Sequence, residues 1–451
     1  MDQYQNTPRI APGGTLRVCV AIQDDGLSGI ETYAEQVAIA SATAGHETTL
    51  IVTTEEVAEA VRDRLGGLGT LRLVSAGIKP RSAARVLADR LMPDLHTRRV
   101  GEAFAQAVRR EGTTYDVIHL NRPGLAPWAE PFGGQLFVAG WFFPHAPGPR
   151  LIETWRHTRG FLPRRAVITA KALSYYAGDQ RGYLAATSVV ACTETLASQL
   201  RSQGLRAVSC PPPVRVPRRA ESDDHPPTDG SLRLLVCSGD LSHPRKNLQD
   251  AVRAAATLAR PDRPVLLRAI GCHPQAIEAE ARRVTLVQNA RLELECLGVL
   301  PPGEVHREMR RAHALLLPSL YEEWGYVAIE SILSGTPVAS YPVYPFADML
   351  QNGVGVVAEE LTSNSLAEAV SQCLTLPRGE LLAAIGEERF GARTLGLRLT
   401  QIWHESGAKG RQPTAADPPS GSIAVVQAAT ELSEERPSQL LRRARALELA
   451  R

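Results

Sequence analysis

Short apolar runs alternate with stretches of helical spacing along most of the chain. Leu16–Ile22 reads as a strand, Thr32–Ala44 as a helix closed by Gly45 and His46, and Thr48–Thr53 as a returning strand. That order is a β-α-β unit, the opening of a doubly wound parallel sheet. Further strands fall at Leu71–Ser75, Asp116–Leu120, Gln135–Ala139 and Thr187–Cys192. The Arg- and Leu-rich segment Lys79–Arg110 reads as helical, and Thr193 or Thr195 as the cap of another helix. Residues 211–232 then carry six prolines and the run Glu221-Ser-Asp-Asp-His225, the composition of a linker.

Beyond the linker the alternation restarts. Strands are expected at Arg233–Ser238, Pro264–Ile270, Leu292–Leu297 and Ala314–Leu317, with helices at Asn247–Ala259 and Glu304–Ala312. Later come a strand near Val338, a helix from Pro345, a strand at Gly353–Val357 and a helix from Ser365. Two α/β runs around one linker predict two Rossmann-like domains, 1–210 and 233–389, facing across a cleft. Ligands of such sheets sit at the carboxyl ends of the strands.

The most informative stretch is Pro318–Val338. It follows the apolar strand Ala314–Leu317 and holds Glu322 in a loop, Gly325 at a helix start, Glu330 within the helix, and Gly335-Thr-Pro-Val338 as its stop. Backbone N–H groups at Gly325, Tyr326 and Val327 suit an anion, and the carboxylates on either side can accept hydrogen bonds from hydroxyls. A nucleotide-linked sugar has those parts. Two glutamates eight residues apart read, by themselves, equally well as solvated side chains on an amphipathic helix.

Composition narrows the field. The chain has 451 residues, 44% apolar and 22% charged, with a net charge of +2. Nothing there points to nucleic acid or to a charged membrane surface. Only four of the 50 basic residues are lysines, Lys246 among them. Seven scattered cysteines without a Cys-x-x-Cys pair suit a reducing compartment. No apolar run approaches the roughly 20 residues of a membrane span. The start, Met1-Asp-Gln-Tyr-Gln-Asn6, lacks a signal-peptide pattern. A soluble cytoplasmic protein is expected, without stable membrane insertion.

Together these residues resemble the E-x7-E motif of retaining GT-B glycosyltransferases, family 4 in particular. Glu323 and Trp324 replace that motif's usual Gly and Phe. Three other places carry the resemblance. Ser28-Gly29-Ile30-Glu31 is similar to the family's opening Gly-Gly-x-Glu turn, which approaches phosphates and acceptor; a plain strand-to-helix turn is the other reading. Asp116-Val-Ile-His119 resembles a strand end of the family. Ser238–Asn247 resembles Gly-Arg-Leu followed by Lys-Gly or Lys-Asn, with Gly239 in place, Asp240 where the Arg is usual, and Arg245-Lys246-Asn247 matching the second half. A solvated basic turn is the alternative there. Phe390–Glu405 resembles the helix that crosses back onto the first domain. Residues 406–451 exceed the family core, and their closing segment reads as a tail helix that could dock on its own chain, mediate a homodimer or stay mobile.

The resemblance implies a sugar transferred from a nucleoside diphosphate with retention, without a metal or other cofactor. Lys246, Arg245 and the helix start would stabilise the departing diphosphate, with Arg245 supplying the cation that Asp240 lacks. Glu330 would bind ribose hydroxyls and Glu322 the hydroxyls of the sugar. Val299 and Leu300 lie in a loop beside the base, and Trp141, His145 and His119 are the candidates on the acceptor side. The absence of Asp-x-Asp agrees with a metal-free site. A glycosidase-like use of the two glutamates is a rival that requires them to flank the scissile bond. A small polar acceptor of secondary metabolism is expected, such as an aminocyclitol, or a thiol such as ergothioneine receiving a GDP-linked sugar. Alternatives are a polysaccharide or lipid acceptor, and a non-catalytic nucleotide-sugar-binding protein.

Overall fold

The structure is a computed structural model that describes residues 14–21, 29–65, 71–78, 93–140, 178–216, 225–288, 291–322 and 324–408. They form two compact units. The first holds the described residues up to Pro213 together with the closing helix Ala392–Glu405, and the second runs from Val214 to Gly391.

The first unit is built on seven parallel strands: β1 (Arg17–Ala21), β2 (Glu47–Val52), β3 (Leu71–Ser75), β4 (Val117–Leu120), β5 (Gln135–Gly140), β6 (Ser188–Ala191) and β7 (Ala207–Ser209). Their order is β3-β2-β1-β4-β5-β6-β7. The second has six parallel strands: β8 (Leu232–Asp240), β9 (Val265–Cys272), β10 (Leu292–Gly298), β11 (Ala314–Leu317), β12 (Val338–Ser340) and β13 (Gly355–Val357). Here the order is β10-β9-β8-β11-β12-β13. Both are Rossmann-like sheets: every pairing is parallel, helices lie between successive strands, and the central strands are largely apolar. β11, Ala-Leu-Leu-Leu, has every side chain buried. In the second sheet the strand order reverses between β8 and β11, so the loops leaving those two strands open side by side.

Several boundaries differ from expectation. β8 and β9 run on to Asp240 and Cys272 through a register shift after Cys237. Gly271 permits this close approach, since a Cβ there would lie 1.9 Å from the Ser238 carbonyl oxygen. Four α-helices went unexpected: Glu55–Leu65, the short Ala126–Ala129, Gln275–Gln288 and Gly379–Phe390. The last has its apolar residues in one block, Leu381–Ile385, without helical spacing, and packs Gly386 against Ile332. The closing helix starts at Ala392 rather than Phe390, because Gly391 ends the preceding helix and Phe390 O accepts the Val214 N–H (3.0 Å). Among the described residues no helix is long and apolar enough to cross a membrane.

The closing helix is locked to the first unit. Gly396 rests against helix Gly29–Thr43, where a Cβ would come 2.7 Å from the Ala40 oxygen. Trp403 is fully buried beside His119, Phe137 and His46. His46 accepts the Leu16 N–H at Nδ1 (3.2 Å), so its proton sits on Nε2 and is donated to Thr400 Oγ1 (2.8 Å). Thr400 passes a hydrogen bond on to the Gly396 oxygen (2.9 Å).

This chain needs a neutral imidazole. Burial, with His404 nearby, lowers the pKa of His46 to about 4. The unfolded chain therefore takes up this proton first as pH falls. The contribution is complete above about pH 6.5 and is lost between there and about pH 4, at a cost of about 3 kcal/mol. His119, His306 and His313 are lowered in the same direction, chiefly by burial. The melting temperature should fall steeply across that window, and less steeply in His46→Gln. Parallel pH–melting curves for the two proteins would refute the relay.

Candidate functional site

The site lies in the second unit at the carboxyl ends of β8 and β11, the switch point of the sheet. From β11 the chain passes Pro318 and Ser319 to Glu322, then turns at Gly325 (φ 86°) into helix Tyr326–Leu333. Glycine is needed at 325 for two reasons: the left-handed φ, and a Cβ that would sit 2.7 Å from the edge of the Phe346 ring. The Ala328 N–H bonds back to the Gly325 oxygen (2.9 Å), and the first-turn donors are the N–H groups of Gly325, Tyr326 and Val327. At the far end Ser331 Oγ bonds to the Thr336 oxygen (3.0 Å) and Thr336 Oγ1 to the Met309 oxygen (2.5 Å).

From β8 the chain passes Gly239 into the cation-bearing loop. No neighbouring atom approaches the space a side chain at Gly239 would fill, and its carbonyl accepts from Cys272 Sγ (2.9 Å). Asp240 is turned back on its own loop, accepting from the Ser242 N–H (2.8 Å) and Oγ (2.7 Å). Those two bonds hold its carboxyl below the usual range. His243 then caps a single 3-10 turn, Pro244–Lys246, and Asn247 ends it at φ 47°. Arg245 and Lys246 sit on this turn.

Glu322 joins the two loops. It is 7% exposed. Its Oε1 accepts from Lys246 Nζ and from Ser319 Oγ (3.1 Å), and its Oε2 pairs with Arg245 Nη1 at 3.0 Å. Arg245 Nη1 also donates to the Tyr321 oxygen (2.7 Å), and the Leu320 N–H to the Arg245 oxygen (2.9 Å). Burial works to raise the Glu322 carboxyl, but Lys246 and Arg245 outweigh it and hold the group below the ordinary value. Glu322 thus anchors the cations first. Oε2, with one partner among the described groups, retains capacity for a hydroxyl donor.

Glu330 behaves in the opposite way. It is half-buried on the motif helix, and desolvation pushes its carboxyl up to about 7. Cys237 on β8 lies within electrostatic range of both Glu330 and Lys246; burial, reinforced by Glu330 and opposed by Lys246, raises its thiol to about 12. Cys237 and the Tyr321 carbonyl also belong to this site without a sequence signal of their own, and Ser319, which follows the strand with Pro318, bonds to Glu322 there. Among the described residues no group of three or more His, Cys, Asp or Glu is arranged to hold a metal ion.

The remaining candidates divide. Tyr326 and Val327 are half-buried at the helix start. Val299 is exposed and Leu300 half-buried, just beyond β10. Gly29 begins the first helix of the first unit, while Ser28, Trp141 and His145 lie outside the described residues. His119 needs correction as an acceptor contact. It is fully buried, bonded through Nε2 to Tyr33 Oη (2.7 Å), stacked on Phe137 and edge-on to Trp403. Its place in the middle of the sheet makes it a core residue.

Gly325→Ala is expected to destabilise the second unit by about 2 kcal/mol, from left-handed strain and the Phe346 contact. Gly303→Ala, which meets no atom within 4 Å, should leave the denaturation midpoint unchanged. Equal midpoints for both variants would contradict the assigned turn.

Comparison with known proteins bears on the fold and on the second domain. Residues 219–389 match the sequence profile of the family described as glycosyl transferases group 1. A 2-deoxystreptamine glucosyltransferase of Streptomyces kanamyceticus is 36% identical over 110 residues, covering 24% of this chain and 28% of the relative. A glycogen synthase of Mycobacterium tuberculosis is 27% identical over 195 residues, covering 42% and 46%. The chain thus spans less than half the length of either relative. Among solved structures, HepE of Anabaena in complex with UDP and glucose superposes with a TM-score of 0.56 at 14% identity, over 86% of this chain and 100% of that one. The chain has two parallel-sheet, Rossmann-like domains like those of its GT-B structural neighbours, and its second domain carries the glycosyl transferases group 1 match.

Proposed function

We propose that this protein is a retaining glycosyltransferase of family 4 type, moving a sugar from a nucleoside diphosphate to a small polar acceptor without a resident metal. The observation that carries the reading is the meeting of Arg245, Lys246, Glu322 and the motif helix start at one switch point. In the transfer, the bond from the sugar's anomeric carbon to the diphosphate breaks and negative charge grows on the leaving oxygen. Lys246 and Arg245 meet that charge together with the helix N–H groups, already oriented before reaction. Arg245 takes the place of the cation absent at 240, since Asp240 is folded onto Ser242. Glu330 accepts from the ribose hydroxyls. Glu322 holds both cations and offers Oε2 to a hydroxyl of the sugar. The acceptor proton passes to a phosphate oxygen of the donor on the same face. Val299, Leu300 and Gly239 are proposed for the donor within the second unit; by the sequence resemblance alone, Ser28 and Gly29 remain proposed for the donor and Trp141 and His145 for the acceptor side.

The match to the 2-deoxystreptamine glucosyltransferase supports a polyhydroxylated or amino acceptor of natural-product biosynthesis. The glycogen synthase match supports a polymer acceptor as the second reading. The proposal places the protein in the cytoplasm, acting on small molecules and open to forming a homodimer.

Thermal-shift titration with UDP, GDP, ADP and TDP, without metal, tests the donor site. One nucleotide should stabilise the native chain and fail to stabilise Glu330→Ala; no shift with any of them would refute the assignment. The matching nucleotide sugar, offered with 2-deoxystreptamine, ergothioneine or a glucan, then identifies the acceptor by product mass. Transfer to none of these while the sugar is also not hydrolysed would favour a binding protein.

The raised pKa of Glu330 sets a pH dependence. Ribose hydroxyls bond best to the ionised carboxylate, so binding releases a proton. Affinity should therefore weaken as pH drops below about 7, by up to about tenfold per unit. In Glu330→Gln this component should be absent, leaving only the titration of the phosphate. Identical pH profiles would remove Glu330 from the ribose site.

A further inference from the structure

Behind the cation-bearing turn lies a second polar cluster to which the proposed chemistry gives no task. Asp250, on helix Leu248–Leu258, accepts at Oδ2 from Asn247 Nδ2 (2.7 Å) and from Tyr341 Oη (2.7 Å), and at Oδ1 from Arg253 Nη1 (2.7 Å). Arg253 is bonded in turn to Glu280 (2.6 Å). We infer that Asp250 and Tyr341 are positioning residues for the diphosphate: they hold the turn that carries Arg245 and Lys246 when the ligand draws those cations away from Glu322. The inference rests on the donor-site reading above.

The argument starts from Asn247. This residue follows Lys246 directly and adopts φ 47°, ψ 37°, a conformation that a side chain other than glycine tolerates when a local hydrogen bond supports it. Its N–H closes the turn onto the Pro244 oxygen (3.2 Å), and its oxygen accepts the Asp250 N–H (3.0 Å). The position of Lys246 therefore depends on Asn247, and the Asn247 side chain depends on Asp250.

Tyr341 supplies the other end. It is fully buried, directly after β12, and its N–H donates to the Leu317 oxygen (3.3 Å), the last residue of β11. The path Leu317–Tyr341–Asp250–Asn247 thus links the base of the motif loop to the base of the cation turn. A second link runs across the top, through Glu322 with Arg245 and Lys246 and through the Leu320 N–H to the Arg245 oxygen. The two links differ in what a diphosphate does to them. The upper one is made of the cations the phosphates need, so binding competes with it. The lower one contains no group within the phosphate-binding set, and persists. A turn braced only from above would lose its register on binding; one braced from below keeps it. Arg253 completes the charge balance at the other oxygen of Asp250, and its side-chain hydrogen bonds among the described residues run to Asp250 and Glu280.

A stabilising cluster with no role in binding would act on melting alone, and this separates the two possibilities. Isothermal calorimetry would be run on the full chain with inorganic pyrophosphate and the stabilising nucleoside diphosphate, and ligand-observed NMR with the matching nucleoside. Tyr341→Phe keeps the buried ring and deletes one hydrogen bond. It should weaken pyrophosphate and the diphosphate by about fivefold, the scale of one hydrogen bond, while nucleoside affinity stays unchanged. Asp250→Ala should weaken them further, and Asp250→Asn, which keeps an acceptor oxygen, should recover part of the loss. Arg253→Gln should lower the melting temperature without changing pyrophosphate affinity. Native pyrophosphate affinity in Tyr341→Phe and Asp250→Ala would overturn the inference, as would equal losses for nucleoside and pyrophosphate. A native chain that binds none of the probes overturns the donor-site reading itself, and the inference with it.

Discussion

A carboxylate that is almost wholly buried must be neutralised where it stands, and Glu322 meets that requirement with two cations from one turn. Removing a charge from water costs several kcal/mol unless close partners compensate, so the loop after β11 and the loop after β8 are not independent. The Glu322 carboxylate draws Arg245 and Lys246 inward. The Tyr321 carbonyl and the Leu320 N–H then fix the backbone of the same turn. What results is two cations gathered on one carboxylate that precedes a helix start by a few residues.

The two glutamates of the motif differ because their surroundings differ. Glu322 has cations within bonding distance, and they outweigh burial. Glu330 is desolvated, and no ion pair offsets that among the described residues, so its carboxyl rises to about 7. One carboxylate is held in its ionised form by its cations and ties the loop pair together; the other is pushed up to about 7 by desolvation. This division does not resemble the arrangement of a glycosidase, in which both carboxyls face one scissile bond.

The first unit solves a different problem with different chemistry. Its closing helix must be recognised by residues more than 350 positions earlier, as in the His46–Thr400 bond. That contact uses neutral histidine, and His119 is likewise kept neutral in the sheet interior. His119 shows how a motif can mislead. Its position in Asp-Val-Ile-His resembles a family strand end, yet the residue lies within β4 with its side chain packed on Tyr33 and Trp403. Whether a polar residue at the carboxyl-terminal end of a strand faces a ligand or the core depends on the strand's last paired residue, and no local signal marks that.

Most strands were legible in the chain because each buried parallel strand must be a short apolar run, and such runs are local; the three-residue edge strand β7 was too short to show. The motif around Glu322 and Glu330 was legible for the same reason: strand end, glycine turn, helix and stop occupy one continuous stretch. Helix Gly379–Phe390 was not, because its apolar residues are contiguous and only Ile332, far away in the chain, supplies the packing face. The pairing of Glu322 with Arg245 and Lys246 spans about 76 residues, and the path from Asp250 to Tyr341 spans 91. Local patterning therefore specified most of the strands, the motif helix and the glycine at 325. Which side chains meet was settled by the strand order β8-β11-β12, since in a doubly wound sheet residues remote in sequence become neighbours only when the crossovers set their strands side by side.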